Sequence, residues 1–200
     1  MCGRFYVDDE TAREIERTVQ KIDEKLRRKR CTGDIHPTEY AAVISTGQEG
    51  MVADTKKWGF PGFGSQKTIF NARAESVLEK KMFRDSILQR RLIIPATGFY
   101  EWNARKEKVT FTSLDENGNN SGILYLAGFY NRYEGEDRFV ILTTAANASM
   151  AGTHDRMPLI LEPQEMEAWL RKDAKLEQFL RKEPRQLKKS MEYEQQTLIF

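Results

Sequence analysis

The sequence predicts an α+β fold: a single domain over residues 1–200, built on an antiparallel, β-rich sheet system of meander or barrel-like form and flanked by several helices. Three observations carry that expectation. The chain has 200 residues, close to one domain of ~150 and long enough to bury ~70% of its unfolded surface. Its composition, 40% hydrophobic and 31% charged with 13 Gly and 6 Pro, is that of a folded globular chain and excludes fibrous, low-complexity and disordered classes. Apolar residues recur at helical intervals near both ends, while the middle is a series of short extended runs between turn residues.

After Phe5-Tyr6-Val7, residues Ala12, Ile15, Val19, Ile22 and Leu26 alternate spacings of three and four, which predicts one amphipathic helix capped by Asp8 or Asp9 and ending near Arg30. Arg27, Arg28, Lys29 and Arg30 fall in its last turn, where cations suit the helix dipole; a solvated helix end and a phosphate patch both fit them. Strands are expected at 41–44, 51–53 and 57–60, between Pro37, Gly47, Gly50, Pro61, Gly62 and Gly64. Val77, Leu78, Met82, Phe83, Ile87 and Leu88 predict a helix within 74–90, followed by strands at 92–94 and 99–102. Segments 109–114 and 123–130 flank Asn117-Gly118-Asn119-Asn120, a hairpin signal, and 139–144 is expected to pair back across the loop at 134–137. Glu162-Pro163 opens a helix through Met166, Trp169 and Leu170, and Asp173 is positioned to cap another through Leu176, Phe179 and Leu180. Residues 171–200 read as a peripheral, polar, helical tail.

Thirty-two Lys and Arg against 30 Asp and Glu leave a net charge of +2, which neither indicates nor excludes a polyanionic partner. Two cysteines allow at most one bridge, and Asp8, Asp9 and Glu10 stand where a secretory signal would be apolar, so a reduced, cytoplasmic chain is expected. The longest apolar run, 124–130, falls far short of the ~20 residues that span a bilayer, so no membrane partner is expected. Two cysteines and two histidines scattered along the chain lack the close pairing of zinc ligands, and no metal or small-molecule cofactor is expected.

Cys2 is the most informative residue. Met1 before a small side chain is commonly removed in cells, which would leave an N-terminal cysteine whose α-amine (pKa ~7.7–8.0) and thiol (pKa ~8.5) share one carbon framework. Such an aminothiol is matched to aldehydes: the amine condenses to an imine and the adjacent thiolate closes a five-membered thiazolidine, a step assisted by proximity. Taken alone, Cys2 also reads as a small side chain of no special role. His154 lies in Thr153-His154-Asp155-Arg156-Met157-Pro158, a stretch without helical or alternating spacing that reads as an ordered loop. His36, before Pro37, reads as structural. Glu101, bracketed by aromatics in Gly98-Phe99-Tyr100-Glu101-Trp102, is either an outward-facing strand residue or a buried carboxylate whose pKa burial would raise toward acid-base use. Asn71 can cap the helix that follows it, and Arg73 can meet a carboxylate or a phosphate. Phe5, Trp58, Phe60, Phe70 and Trp102 are either core residues or stacking surfaces for bases.

Six blocks in order, Cys2-Gly3-Arg4-Phe5, Trp58-Gly59-Phe60, Asn71-Ala72-Arg73-Ala74-Glu75, Pro95-Ala96-Thr97-Gly98-Phe99-Tyr100-Glu101-Trp102, Thr143-Thr144-Ala145-Ala146-Asn147 and His154-Asp155-Arg156-Met157-Pro158, resemble the SRAP family, the SOS response-associated peptidases understood as abasic-site crosslinking proteins. The resemblance is strongest over residues 2–170. It implies a DNA-damage protein that binds single-stranded DNA containing abasic sites, in the cytoplasm and on the nucleoid when DNA-bound. It further implies that Cys2, after Met1 removal, captures the ring-opened sugar aldehyde as a thiazolidine crosslink. Glu101 would then assist proton transfer, Asn71 would orient the N-terminal group, and His154 would act at the sugar oxygens. Arg4, Arg73 and Arg156 would hold phosphates, with Trp58 and Phe60 near the unstacked bases. The same Cys2, Asn71, Glu101 and His154 would support autocatalytic removal of Met1, and a Schiff base at the abasic carbon would permit strand cleavage by β-elimination. A cysteine peptidase acting on other proteins and a non-covalent single-stranded DNA binder are the competing functions. Three stretches depart from the pattern: Gly33-Asp34-Ile35-His36-Pro37-Thr38 keeps only the Pro-Thr of the family's Asn-x-Ala-Pro-Thr, the segment between Trp58 and Asn71 is short and glycine-rich, and the tail after Leu170 has no obvious counterpart.

Overall fold

The computed structural model describes residues 2–19, 21–23, 31–62, 68–114, 122–171 and 175–191. The first half of the chain contributes β1 (Phe5–Val7), α1 (Asp9–Thr18), β2 (Lys21–Ile22), β3 (Gly33–Ile35), β4 (Tyr40–Thr46), β5 (Met51–Trp58), β6 (Phe60–Pro61), β7 (Thr68–Ile69), β8 (Asn71–Arg73), α2 (Lys81–Gln89) and β9 (Arg91–Ala96). The second half contributes β10 (Gly98–Trp102), β11 (Lys108–Thr112), β12 (Leu124–Tyr133), β13 (Glu136–Ala145), β14 (Arg156–Pro158), β15 (Ile160–Leu161), α3 (Met166–Leu170), α4 (Leu176–Leu180) and β16 (Lys188–Met191). The fold is α+β and mostly antiparallel, as the spacing predicts.

Continuous apolar runs in the middle of the chain reflect strands covered on both faces. In β9, Leu92, Ile94 and Ala96 enter one core cluster and Ile93 the other; in β13, Phe139 and Ile141 point one way and Val140 and Leu142 the other. The two-residue period thus feeds two cores at once. Strands β13, β12, β9, β4 and β5 follow one another through antiparallel pairs and close into a ring through a parallel β5–β13 pair, Lys57 opposite Arg138 and Trp58 opposite Phe139. Closure removes the exposed edges that an open sheet would present. Gly128 permits it: a Cβ there would lie 2.6 Å from both the Val140 carbonyl oxygen and Ile94 Cδ1.

A second sheet, in the order β16-β11-β10-β1-β3, is antiparallel throughout and packs over the cluster formed by Cys2, Phe5, Val7, Ile35, Trp58, Phe99 and Phe111. Helices α2, α3 and α4 cover the other cluster through Phe83, Ile87, Trp169, Leu170, Leu176 and Leu180. Helix α1 is capped by Asp8, whose side chain accepts from Thr11 N at 2.7 Å. Thr97 Oγ1 lies 2.8 Å from both Asp8 N and Thr11 Oγ1, tying this helix start to the junction between β9 and β10.

Several expectations are corrected. Helix α1 stops at Thr18, whose hydroxyl donates back to the Glu14 carbonyl at 2.8 Å, a bond that competes with helix propagation. Lys21–Ile22 then pairs in parallel with β5 rather than continuing the helix, and residues 27–30 lie outside the described residues. The segment at 74–90 is a 3-10 turn at Ala74–Ser76 followed by α2, and 51–58 is one strand rather than two. Strands β11 and β12 do not form a hairpin: β11 lies between β10 and β16, whereas β12 belongs to the barrel. The Asn117–Asn120 turn signal and the Asp173 cap lie outside the described residues. Leu176–Leu180 is helical, but Lys188–Met191 forms strand β16 on β11, with Leu187 buried in the main core.

Candidate active site

Strand β1 runs antiparallel to β10, with Phe5 opposite Phe99, and Tyr100 N donates to the Arg4 carbonyl at 2.9 Å. This pairing carries the N-terminal residues alongside the end of β10. Alternation along β10 turns Phe99 and Glu101 toward the core and Trp102 outward, so Glu101 is the buried carboxylate and not the outward-facing residue. Asn71 arrives from a third direction, on β8 beside Ile141 of β13. Two bonds to the Phe70 carbonyl immediately before it, from Trp58 Nε1 at 2.9 Å and from Ile141 N at 3.1 Å, fix this approach.

Three of the four expected catalytic residues meet here. Asn71 Nδ2 donates to the Cys2 carbonyl at 2.8 Å, and Asn71 Oδ1 is buried with no hydrogen-bond partner among the described residues. Cys2 is fully buried, its thiol 3.7 Å from the Arg4 carbonyl. Burial pushes the thiol pKa far up, and the nearby negative charge of Glu101 adds to the shift. With Met1 still ahead of Cys2, burial thus favours the protonated thiol; the expectation of an appreciable thiolate fraction concerns the cysteine freed of Met1, a different N-terminal state. The role of Asn71 as a helix cap is not realised: the 3-10 turn after it begins beyond Arg73, without a side-chain cap, and the Asn71 amide serves Cys2 instead.

His154 stands on the ordered turn leading into β14. Its Nδ1 accepts from Arg156 N at 2.9 Å and lies 2.8 Å from Asp155 Oδ1. Arg156 grips Glu75 with two parallel bonds, Nη1 to Oε1 at 2.7 Å and Nη2 to Oε2 at 2.8 Å, and Nη2 also donates to the Thr143 carbonyl at 2.6 Å. This grip holds the Glu75 carboxyl below the usual carboxylate range. Glu75, Thr143 and Asp155 were visible in the sequence only as members of motif blocks; the pairing of Glu75 and Thr143 with Arg156 needed the parallel β8–β13 register, Arg73 opposite Thr143, and the β13–β14 register, Ala145 opposite Arg156.

Among the expected DNA-contacting residues, Arg73 is exposed, and Arg4 is partly exposed, 3.7 Å from Asp34 and 5.3 Å over the Trp102 ring. Arg156 is already engaged by a carboxylate. Trp58 and Phe60 are corrected outright: both are fully buried, Trp58 against Phe5, Phe70 and Phe139, and Phe60 against Phe83, Phe129 and Tyr133, so neither offers a face to a base. Trp102, 40% exposed beside Arg4, does offer one. Among the described residues no cluster of three or more His, Cys, Asp or Glu is placed to hold a metal ion, and no helix is long and apolar enough to cross a membrane. The chemistry at hand is thus a thiol, a carboxylate close enough to influence it and an amide fixing the Cys2 carbonyl, a set suited to proton transfer during addition to a carbonyl carbon.

A protein of Bacillus subtilis called abasic site processing protein YoqW is 33% identical over 187 residues, covering 85% of this chain and 80% of its own. Abasic site processing protein YedK of Escherichia coli is 27% identical over 186 residues, covering 86% and 81%. Crystal structures of a Bordetella bronchiseptica protein (TM-score 0.76, 23% identity, 96% of this chain and 100% of that one) and of a Bacteroides thetaiotaomicron protein (TM-score 0.72, 22% identity, 96% and 93%) share the fold. The model of the family described as SOS response associated peptidase matches residues 1–196, and the chain belongs to that SRAP family.

Proposed function

We propose that this protein processes abasic sites in single-stranded DNA, using the α-amine and thiol of Cys2, once Met1 is removed, to capture the sugar aldehyde covalently. The observation that carries this reading is the meeting of Cys2, Asn71 and Glu101: the Cys2 carbonyl is pinned by Asn71 Nδ2 at 2.8 Å, and the Glu101 charge acts on the Cys2 thiol. The relatives named as abasic site processing proteins support it.

In the reaction, the free amine attacks the ring-opened aldehyde and loses water to give an imine. The Cys2 sulfur then adds to the imine carbon, its proton passing to nitrogen by way of Glu101, and the thiazolidine closes. The amine is the first nucleophile because only an imine offers the carbon on which the sulfur can close a five-membered ring, and Glu101, beside the thiol, is placed to relay the proton in that second step. Asn71 orients the Cys2 backbone, and His154 exchanges protons with the sugar oxygens. Arg4 and Arg73 meet phosphates, and Trp102 is the aromatic face available to a base. The same site removes Met1 by its own action, and β-elimination from the imine is the route to any strand cleavage. A cytoplasmic, DNA-associated protein accords with this chemistry.

The test is a denaturing gel of the protein incubated with an oligonucleotide carrying one abasic site. A denaturation-resistant adduct is expected, lost in Cys2→Ala. Peptide turnover without an adduct would favour a peptidase acting on other proteins, and salt-sensitive binding equal for intact and abasic strands would favour a plain DNA binder.

A further inference from the structure

We propose that Glu75 is a positioning residue: by gripping Arg156 it fixes the backbone amide that holds Nδ1 of His154, and so sets His154 in the tautomer with its proton on Nε2. The inference rests on the reading above, in which His154 exchanges protons with the sugar oxygens.

A backbone N–H can only donate, so the 2.9 Å bond from Arg156 N requires the Nδ1 lone pair and leaves the neutral ring protonated at Nε2. The same nitrogen has a competing partner. Asp155 Oδ1, 2.8 Å from the same Nδ1, can only accept, so it favours a proton on Nδ1. The two partners demand opposite states of one atom. Asp155 is 85% exposed, its attraction weakened by solvent, whereas Arg156 is fixed from several sides.

Glu75 supplies the decisive part of that fixing. Residue 156 is the first of a strand only three residues long, reached from a turn in which Gly152 adopts φ +73°. Its side chain runs back across β13, donating to the Thr143 carbonyl, and ends in the paired bonds to Glu75, just beyond β8. The fork therefore ties the strand bearing Asn71 to the turn bearing His154. A two-pronged guanidinium–carboxylate pair restricts orientation as well as distance, which a single bond from Thr143 does not. Charged groups near His154 among the described residues include Asp155 at its own ring nitrogen, and Arg156 and Glu75 behind the amide, with Arg73 adding positive charge beside Glu75.

The experiment is histidine-labelled 15N NMR near pH 8, above the ordinary histidine range of ~6.5, on the full chain. The protein has two histidines, and a His36→Gln variant assigns the signals. The parent is expected to show the Nε2–H pattern for His154. Glu75→Ala is expected to shift it toward Nδ1–H as Asp155 takes over, and Glu75→Asp to restore part of the parent pattern. Adduct formation is expected to slow on the order of tenfold in Glu75→Ala, part of the roughly 10²- to 10⁴-fold that a positioned acid-base group contributes. A parent spectrum showing Nδ1–H, or a Glu75→Ala spectrum identical to the parent's, overturns the proposal. Should Glu75→Ala not fold, Glu75→Gln, which keeps the shape and removes the charge, is judged by the same two spectra. Absence of any adduct in the parent would sink the proposed function, while the tautomer readout would still decide the role of Glu75.

Discussion

Trp58→Phe separates a core role for the tryptophan from a base-stacking one. The indole N–H reaches the Phe70 carbonyl at 2.9 Å, and because Ile141 N also serves that oxygen, losing the indole bond costs only ~1 kcal/mol. Shrinking a fully buried ring wedged between Phe5 (centroids 5.1 Å apart) and Phe139 (6.2 Å, stacked) adds ~1–2 kcal/mol, a fraction of the ~3–5 that full truncation of a large aromatic costs. The sum, ~2–3 kcal/mol, lowers the melting temperature by ~4–12 °C for a chain of this length. Thermal unfolding by circular dichroism reads this directly, and filter binding of intact single-stranded DNA in the same samples should change less than about twofold, since no base touches the ring. A fall of under about 2 °C together with a roughly tenfold loss of affinity, the size expected for one lost stacking contact, would refute the burial argument.

Other outcomes follow from the same geometry. Gly98→Ala should destabilise by ~1–3 kcal/mol in urea unfolding, because its Cβ would meet the Phe111 carbonyl oxygen at 2.6 Å and Tyr6 Cε1 at 2.7 Å; an unchanged midpoint would contradict the close approach of β10, β1 and β11. Glu75, held below the usual carboxylate range by Arg156, adds stability that is present above its ordinary pKa of ~4.3 and lost as pH falls through the folded value. The melting-temperature gap between the parent and Glu75→Gln should accordingly be constant above about pH 5 and close on further acidification. Cys2, with its thiol pKa raised by burial and by Glu101, should alkylate far more slowly in the folded chain carrying Met1 than in urea, as read by peptide mapping; equal rates would mean that the thiol is open.

Much of the architecture was legible because burial on two faces leaves long apolar runs, and β9, β12 and β13 carry them. What periodicity could not resolve was competition between local and distant partners. Val19 and Ile22 fit helical spacing, yet the Thr18 back-bond and the parallel pairing of Ile22 with Ala53 end the helix early. Strand β16 carries Lys188, Lys189 and Ser190, an edge sequence with no apolar alternation, so only its partner β11 reveals it. The turn residues Asn117-Gly118-Asn119-Asn120 suggest a hairpin because turn chemistry signals a change of direction without saying which sheet the next strand enters.

Within the site, Cys2, Asn71 and Glu101 were identifiable as motif members, but their meeting depends on three strands distant in sequence. Aromatic side chains carry the deeper ambiguity. Trp58, Phe60 and Trp102 are equally suited to core and platform, and their exposures of 0%, 0% and 40% divide them only once the barrel closes. Glu75 was hidden for the same reason: a carboxylate two residues after Arg73 suggests a local ion pair, whereas its guanidinium partner, Arg156, comes from the far side of β13.

The central claim is that an N-terminal aminothiol at Cys2 performs the capture. Intact-protein mass spectrometry after incubation with an abasic single-stranded oligonucleotide tests it most directly. The account predicts a species equal to the chain without Met1 plus the oligonucleotide, less one water, that resists borohydride as a closed thiazolidine does and an open imine does not. Mature protein with Cys2 exposed, bound to the same DNA but giving no such species, would contradict it.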